Sequence, residues 1–168
     1  MLAPVGRLRG RAWRQTALRV PACLPPVQPA PHPGRYHAAG DPWPLYAALD
    51  RDTMWDEWRH ATDAAIAPTD DERWVCTLDV DLAVLDLRDA ATRSALGVTL
   101  DELVGPWSPE RPNRAARRVA RAARELGVDG LVVPSAARAG GWNLAVLPEA
   151  FDRVRMVARR RSEPVAAS

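Results

Sequence analysis

The chain has 168 residues, enough for one domain and short for two, and its apolar fraction of 47% with a charged fraction of 26% matches an ordinary globular protein. No run of about 18 apolar residues is present to span a bilayer, and arginines at 7, 9, 11 and 14 interrupt the apolar core that an export signal needs. All 23 basic residues are arginine, set against 21 acids, so the net charge of +2 argues against a dedicated polyanion binder.

In chain order, RAWRQTALRV has Trp13, Thr16, Leu18 and Val20 among its apolar or branched positions and predicts a first strand. Residues 1–10 are read as a flexible N-terminal segment. From Val20 to Pro33 six prolines fix the backbone and remove amide donors, so this stretch is expected to be a loop or extended arm. RYH (35–37) and PLYAAL (44–49) are expected as short strands separated by the turn-rich AAGDPWP. DRDTMWDEWRHATDAAI predicts a helix, with cap candidates from Asp50 to Thr53, closure at Pro68, and Met54, Trp58, Ala61 and Ala65 on one face.

ERWVCTLDVD and AVLDLRD alternate as strands, with short helices expected from about Asp89 and near TLDELVG. RPNRAARRVARAARELG predicts a second main helix with Val119, Ala122, Ala123 and Leu126 inward and Gly127 as its C-cap. DGLVVPSA, WNLAVLP and FDRVRMVA read as three further strands, and residues 159–168 as a disordered basic tail. Strands without regular βαβ alternation, plus two main helices, predict a single α+β domain around a mixed sheet. Cys23 and Cys76 lack metal-ligand spacing and are too few for a disulfide framework, so a reducing cytoplasm is expected, with Cys76 a core residue.

The segments GRYH at 34–37, LYAAL at 45–49, TMWDEWRH at 53–60, VLDLRD at 84–89, LGVDGLVVPSAA at 126–137 and GGWNLAVLP at 140–148 resemble, in order and spacing, the RES domain family. The resemblance spans roughly Arg11 to Val157 and sets a domain at 11–158. It implies an ADP-ribosyltransferase-like fold and an NAD-degrading toxin of a toxin–antitoxin pair, cleaving the nicotinamide–ribose bond with water or phosphate as acceptor. It also implies a cognate antitoxin, a helix-turn-helix protein of Xre-like type that carries any nucleic-acid contact, and is compatible with a homo-oligomer inside that complex. NAD is then a substrate, and neither a resident cofactor nor a metal is expected; no dinucleotide-fold glycine turn or phosphate loop is present.

Carried over by position, the family's site residues fall on Arg35, Tyr36, Tyr46, Glu57, Ser135 and Asn143, with Arg35, Glu57 and Ser135 expected to be catalytic. Their chemistry is consistent with that use. Arg35 offers a planar charged fork for phosphate oxygens, with a surface ion pair as its plain alternative. Tyr36 and Tyr46 suit a cationic ring or ribose, or else core packing. Around the stripe of Met54, Trp58, Ala61 and Ala65, Glu57 lies about 70° from the centre and Asp56 about 170°, so Glu57 borders the buried face and Asp56 faces solvent. A carboxylate so placed can stabilise charge growing on the sugar; its alternative is a salt bridge to Arg35 or Arg88. Ser135 emerges after a strand to orient ligand or acceptor, or to cap a turn; Asn143 hydrogen-bonds the nicotinamide region, or satisfies a turn. His37 stands where some members carry asparagine, although histidine is also familiar there. Two further readings are open: ADP-ribosylation of a protein target, and nucleic-acid binding through Arg114, Arg117, Arg118, Arg121 and Arg124.

Overall fold

Alternating apolar residues along two long segments build the sheet. In the computed structural model, which describes residues 3–19, 22–65 and 72–162, with 62–65 as backbone only, these segments are β1 (Gly6–Ala17) and β3 (Arg73–Asp86). The other strands are β2 (Leu45–Ala48), β4 (Gly130–Pro134), β5 (Trp142–Val146) and β6 (Val154–Ser162). The helices are α1 (Arg51–Ala65), α2 (Ala90–Leu96), α3 (Leu100–Val104) and α4 (Arg114–Leu126), with a 3₁₀ turn at Pro148–Arg153. The expected mixed domain with two main helices is present.

The strands run in the order β1-β2-β5-β4-β3-β6, and β1 also pairs β3 along its length, so five strands close into a ring. Only β3 and β4 are parallel. The ring is weakest between β1 and β2, which share the single register pair Trp13↔Ala48. Apolar residues fill both faces: Leu85, Leu131, Val133 and Ala145 pack against Val119 and Ala123 of α4, while Leu78, Leu82, Val132 and Leu144 form the opposite side. Burying each such leucine or valine contributes roughly 1.5–3 kcal/mol.

Helix ends follow the capping chemistry of the sequence. Asp50 accepts the Thr53 N–H and begins α1; Asp89 caps α2; Thr99 and Glu102 form a reciprocal capping box on α3. Asn113 accepts the Ala116 N–H at the start of α4, and its amide donates to the Glu102 carbonyl, tying α3 to α4. Gly127 ends α4 at φ 63°, the left-handed conformation expected of a C-cap.

Several expectations are corrected. ERWVCTLDVD and AVLDLRD form one strand: Leu78, Val80, Leu82 and Val84 alternate inward without a break, and the exposed Asp81 between them is held by Arg7 and Arg9 of β1. The flexible start and the tail shrink for the same reason, since β1 begins at Gly6 and β6 carries Arg159–Arg161 alongside Trp74, whose ring is stacked by the Arg159 guanidinium at 4.2 Å. RYH is no strand: the Gly34 N–H donates to the His37 carbonyl and turns the chain. On α1, Trp55 is buried and Ala61 exposed, so the apolar face is rotated from the stripe read in the sequence. Within the arginine row of α4, Arg118 donates to the Gly97 carbonyl at the end of α2 and Arg124 pairs with Asp41, so two of those cations serve the fold. Val20, Pro21, Pro68 and 163–168 lie outside the described residues.

Cys23 and Cys76 are joined as a disulfide, which removes the argument from unpaired cysteines to a reducing compartment. The bond ties the proline-rich arm to β3 across 53 residues, a long loop whose closure lowers the entropy of the unfolded chain. Reduction is expected to lower stability by about 2–4 kcal/mol. Urea unfolding with and without a reductant, beside Cys23→Ser, measures it.

Candidate active site

Three elements converge at the open end of the sheet. Glu57 projects from α1; Ser135 follows β4, where Pro134 ends the strand; Asn143 lies on β5 opposite both Val133 and Ala48. One carboxylate oxygen, Glu57 Oε1, accepts a hydrogen bond from the Ser135 hydroxyl and another from the Asn143 amide, each at 2.6 Å. The Ser135 hydroxyl also accepts the N–H groups of Ala137 and Arg138. Both donors therefore fix the orientation of Glu57. Oε2 of Glu57 has no hydrogen-bond partner among the described residues.

Asp56 does not simply face solvent. It binds Arg59 at 2.6 Å and Arg138 at 2.7 Å, pinning the turn after Ser135 to α1, and the Arg138 contact holds its carboxyl below the usual range. The turn packs tightly, since a Cβ at Gly141 would meet the Thr53 hydroxyl at 2.6 Å.

Glu57, Tyr46 and Asn143 stand between two cavities. One, of about 260 Å³, is also lined by Arg35, Tyr36, His37, His60 and Trp107. The other, of about 220 Å³, opens beside Trp13, Arg14 and Trp58. Arg35 is not a surface ion pair: its Nη1 donates to the carbonyls of Leu103 and Gly105, closing the exposed end of α3, and the rest of the fork is left for the cavity. Burial lowers its pKa. Tyr36 is buried with its hydroxyl unpaired, and burial pushes its pKa up, as it does for Tyr46, so both stay neutral donors.

His37 acquires a definite function. Its Nε2 lies 3.2 Å from the His32 carbonyl, which can only accept, so the proton sits there and Nδ1 accepts from the Tyr46 hydroxyl at 3.0 Å. The ring thus orients Tyr46. Its packing explains Gly34, where any Cβ would overlap the imidazole. Trp107, His60 and Arg14 were not among the expected site residues; an aromatic between Pro106 and Pro109 is the only sign Trp107 gives.

Burial, with Arg117 and Arg124 nearby, lowers the His37 pKa, opposed by the His32 carbonyl and Asp41. A base with a depressed folded pKa is neutral and harmless above its unfolded value of about 6.5, and it costs stability as pH falls below that, where the unfolded chain takes up the proton first. Urea midpoints at pH 7.5 and 5.5 should therefore fall with acid, and His37→Gln should shrink the difference. An unchanged difference would remove His37 from the account.

A family described as the RES domain matches residues 4–167. A probable NAD(+) phosphorylase of Mycobacterium tuberculosis (strain ATCC 25618 / H37Rv) is 35% identical over 155 residues, 90% of this chain and 71% of its own. One chain of the crystal structure of the M. tuberculosis MbcT–MbcA toxin–antitoxin complex superposes with a TM-score of 0.76 at 24% identity, over 95% of this chain and 87% of that one, and shares the fold.

Proposed function

The chain belongs to the RES domain family, and from that premise we propose that it degrades NAD by phosphorolysis of the nicotinamide–ribose bond, as the toxin of a toxin–antitoxin pair. The observation that carries this reading is the Glu57 carboxylate, fixed by two donors from two strand ends and set at the junction of two cavities. A pinned anion of this kind stabilises positive charge as it develops on the ribose, without reorganising during the reaction. Rate comes from that electrostatics together with positioning.

NAD enters as substrate. Arg35 supplies the cation for its pyrophosphate, and Tyr36, Tyr46 and the exposed edge of Trp107 bound the nicotinamide ribose. His37 holds the Tyr46 hydroxyl in one orientation, and Ser135 and Asn143 keep Glu57 aimed. An enzyme that drains NAD acts in the cytoplasm, where the dinucleotide is held, and requires restraint there. The relative's complex supports an antitoxin that covers the cleft, and we assign it the helix-turn-helix, Xre-like character implied by the family.

Purified protein freed of any partner should release nicotinamide from NAD in proportion to added inorganic phosphate and yield ADP-ribose 1″-phosphate. Release that ignores phosphate and yields ADP-ribose would make the enzyme a hydrolase. No release under either condition, from folded protein, would sink the enzymatic reading.

A further inference from the structure

A hollow of about 420 Å³ lies where β1, β3 and β6 run side by side, and the strand register explains it. Cross-strand partners share a face, so Trp13, Thr77 and Ala158 form one row across the three strands, with Gln15, Val75 and Arg160 on one side of it and Arg11, Asp79 and Arg155 on the other. Thr77 and Ala158 are small and leave the floor low, and the register shift between Thr77 and Leu78 adds Val157 to the lining. Four arginines also line the hollow: Arg11, Arg160, Arg161 and Arg51, the first residue of α1. Arg11 shares Asp79 with Arg155, and Arg161 meets Glu72 at 3.7 Å. Arg51 and Arg160 form no ion pair among the described residues. The sequence neighbours of Arg51 are engaged elsewhere, Asp50 with Thr53 and Asp52 with Arg138. Charge on an edge strand such as β6 discourages unwanted pairing, but that does not account for a helical arginine turned to the same hollow.

We propose that this hollow binds a nucleoside polyphosphate, at a site separate from the two cavities beside Glu57, with the phosphates on Arg51 and Arg160 and the base against Trp13 and Val157. Guanidinium forks match phosphate oxygens through paired, charge-assisted hydrogen bonds, and two forks without counterions suit a ligand that carries several negative charges on adjoining groups. The floor is apolar where the charges are not, and Trp13 offers a ring on which a base of any kind can stack. The volume lies within the range of small-molecule sites. Trp13 lines the smaller of the cavities beside Glu57 as well, so the hollow and that cavity share one wall.

The test is calorimetric titration of the full-length protein with ATP and with inorganic tripolyphosphate, in about 0.15 M salt to screen diffuse surface attraction. ATP should bind at one site, and Arg51→Gln and Arg160→Gln, both at exposed positions, should each weaken it about tenfold, the usual loss of a charge-assisted hydrogen bond. Ala158→Phe fills the floor without removing a charge and should abolish binding. Arg121→Gln on the exposed face of α4 and Arg35→Gln in the larger cavity beside Glu57 should leave the affinity within about twofold. Tripolyphosphate should bind about tenfold more weakly than ATP, because it lacks the base that stacks on Trp13. Equal affinity for the two would overturn the assignment by reducing the hollow to a general anion patch. A loss in Arg121→Gln as large as in Arg160→Gln would overturn it as diffuse charge, and a loss confined to Arg35→Gln would place ATP in the substrate cavity instead. No binding of ATP, or binding of an acidic peptide that ATP fails to displace, would contradict it equally. None of these outcomes bears on nicotinamide release, so the site and the NAD reading stand or fall separately.

Discussion

Two hydrogen bonds to a single oxygen, Glu57 Oε1, decide what the rest of the structure must supply. A carboxylate at the rim of a helix is ordinarily free to turn into solvent. Here Ser135 and Asn143 reach it from the ends of adjacent strands, so β4 and β5 must be in register, and α1 must lie across their ends at a fixed height. The long β1–β3 ladder and the Asp56–Arg138 ion pair both serve that placement at a distance, the first by holding the ring closed and the second by holding the post-strand turn against α1. The carboxylate is consequently prepared before substrate arrives. Charge stabilisation by prepared groups does not spend binding energy on reorganisation during reaction.

The two cavities divide the labour around that group. On one side Arg35 is held by the end of α3 and Tyr46 by His37, so a cation and a hydroxyl are fixed at the wall of the larger of these two cavities. On the other, Arg14 donates to the Tyr46 carbonyl. Each cation is tied to backbone oxygen rather than to a carboxylate, which keeps its charge available to an incoming anion. Family membership and the arrangement of these groups both support the proposed chemistry, cleavage of the nicotinamide–ribose bond of NAD.

Much of this was legible in the residues, and the failures have physical causes. Glu57 was readable because helical phase alone puts it beside Met54 and Trp58, while Gly127 and Asp89 announced their caps through local chemistry. Wherever a partner was distant in sequence, the reading failed. The segment 73–86 was read as two strands, whereas it is one, laddered along its length to β1, whose Arg7 and Arg9 hold Asp81. The disulfide joins residues with no common motif, and His37 depends on the Tyr46 hydroxyl and the His32 carbonyl, neither of which leaves a periodic signal. Asp56 faced solvent by helical phase until Arg138 came across to meet it. Arg14 was one strand arginine among many, distinguished only by the pocket it lines and the counterion it lacks.

Neighbouring carboxylates on one helix turn offer the most direct test of the central claim. Glu57→Gln and Asp56→Asn each replace a carboxylate with its amide, and nicotinamide release from NAD at saturating phosphate compares them under one assay. Glu57→Gln should lower kcat by about 10²-fold or more, the usual loss when a prepared transition-state charge is neutralised. Asp56→Asn, which loosens only the turn, should stay within about fivefold, since an exposed ion pair of this kind contributes about 1 kcal/mol or less. The reverse order, with Asp56→Asn inactive and Glu57→Gln near wild type, would contradict the account.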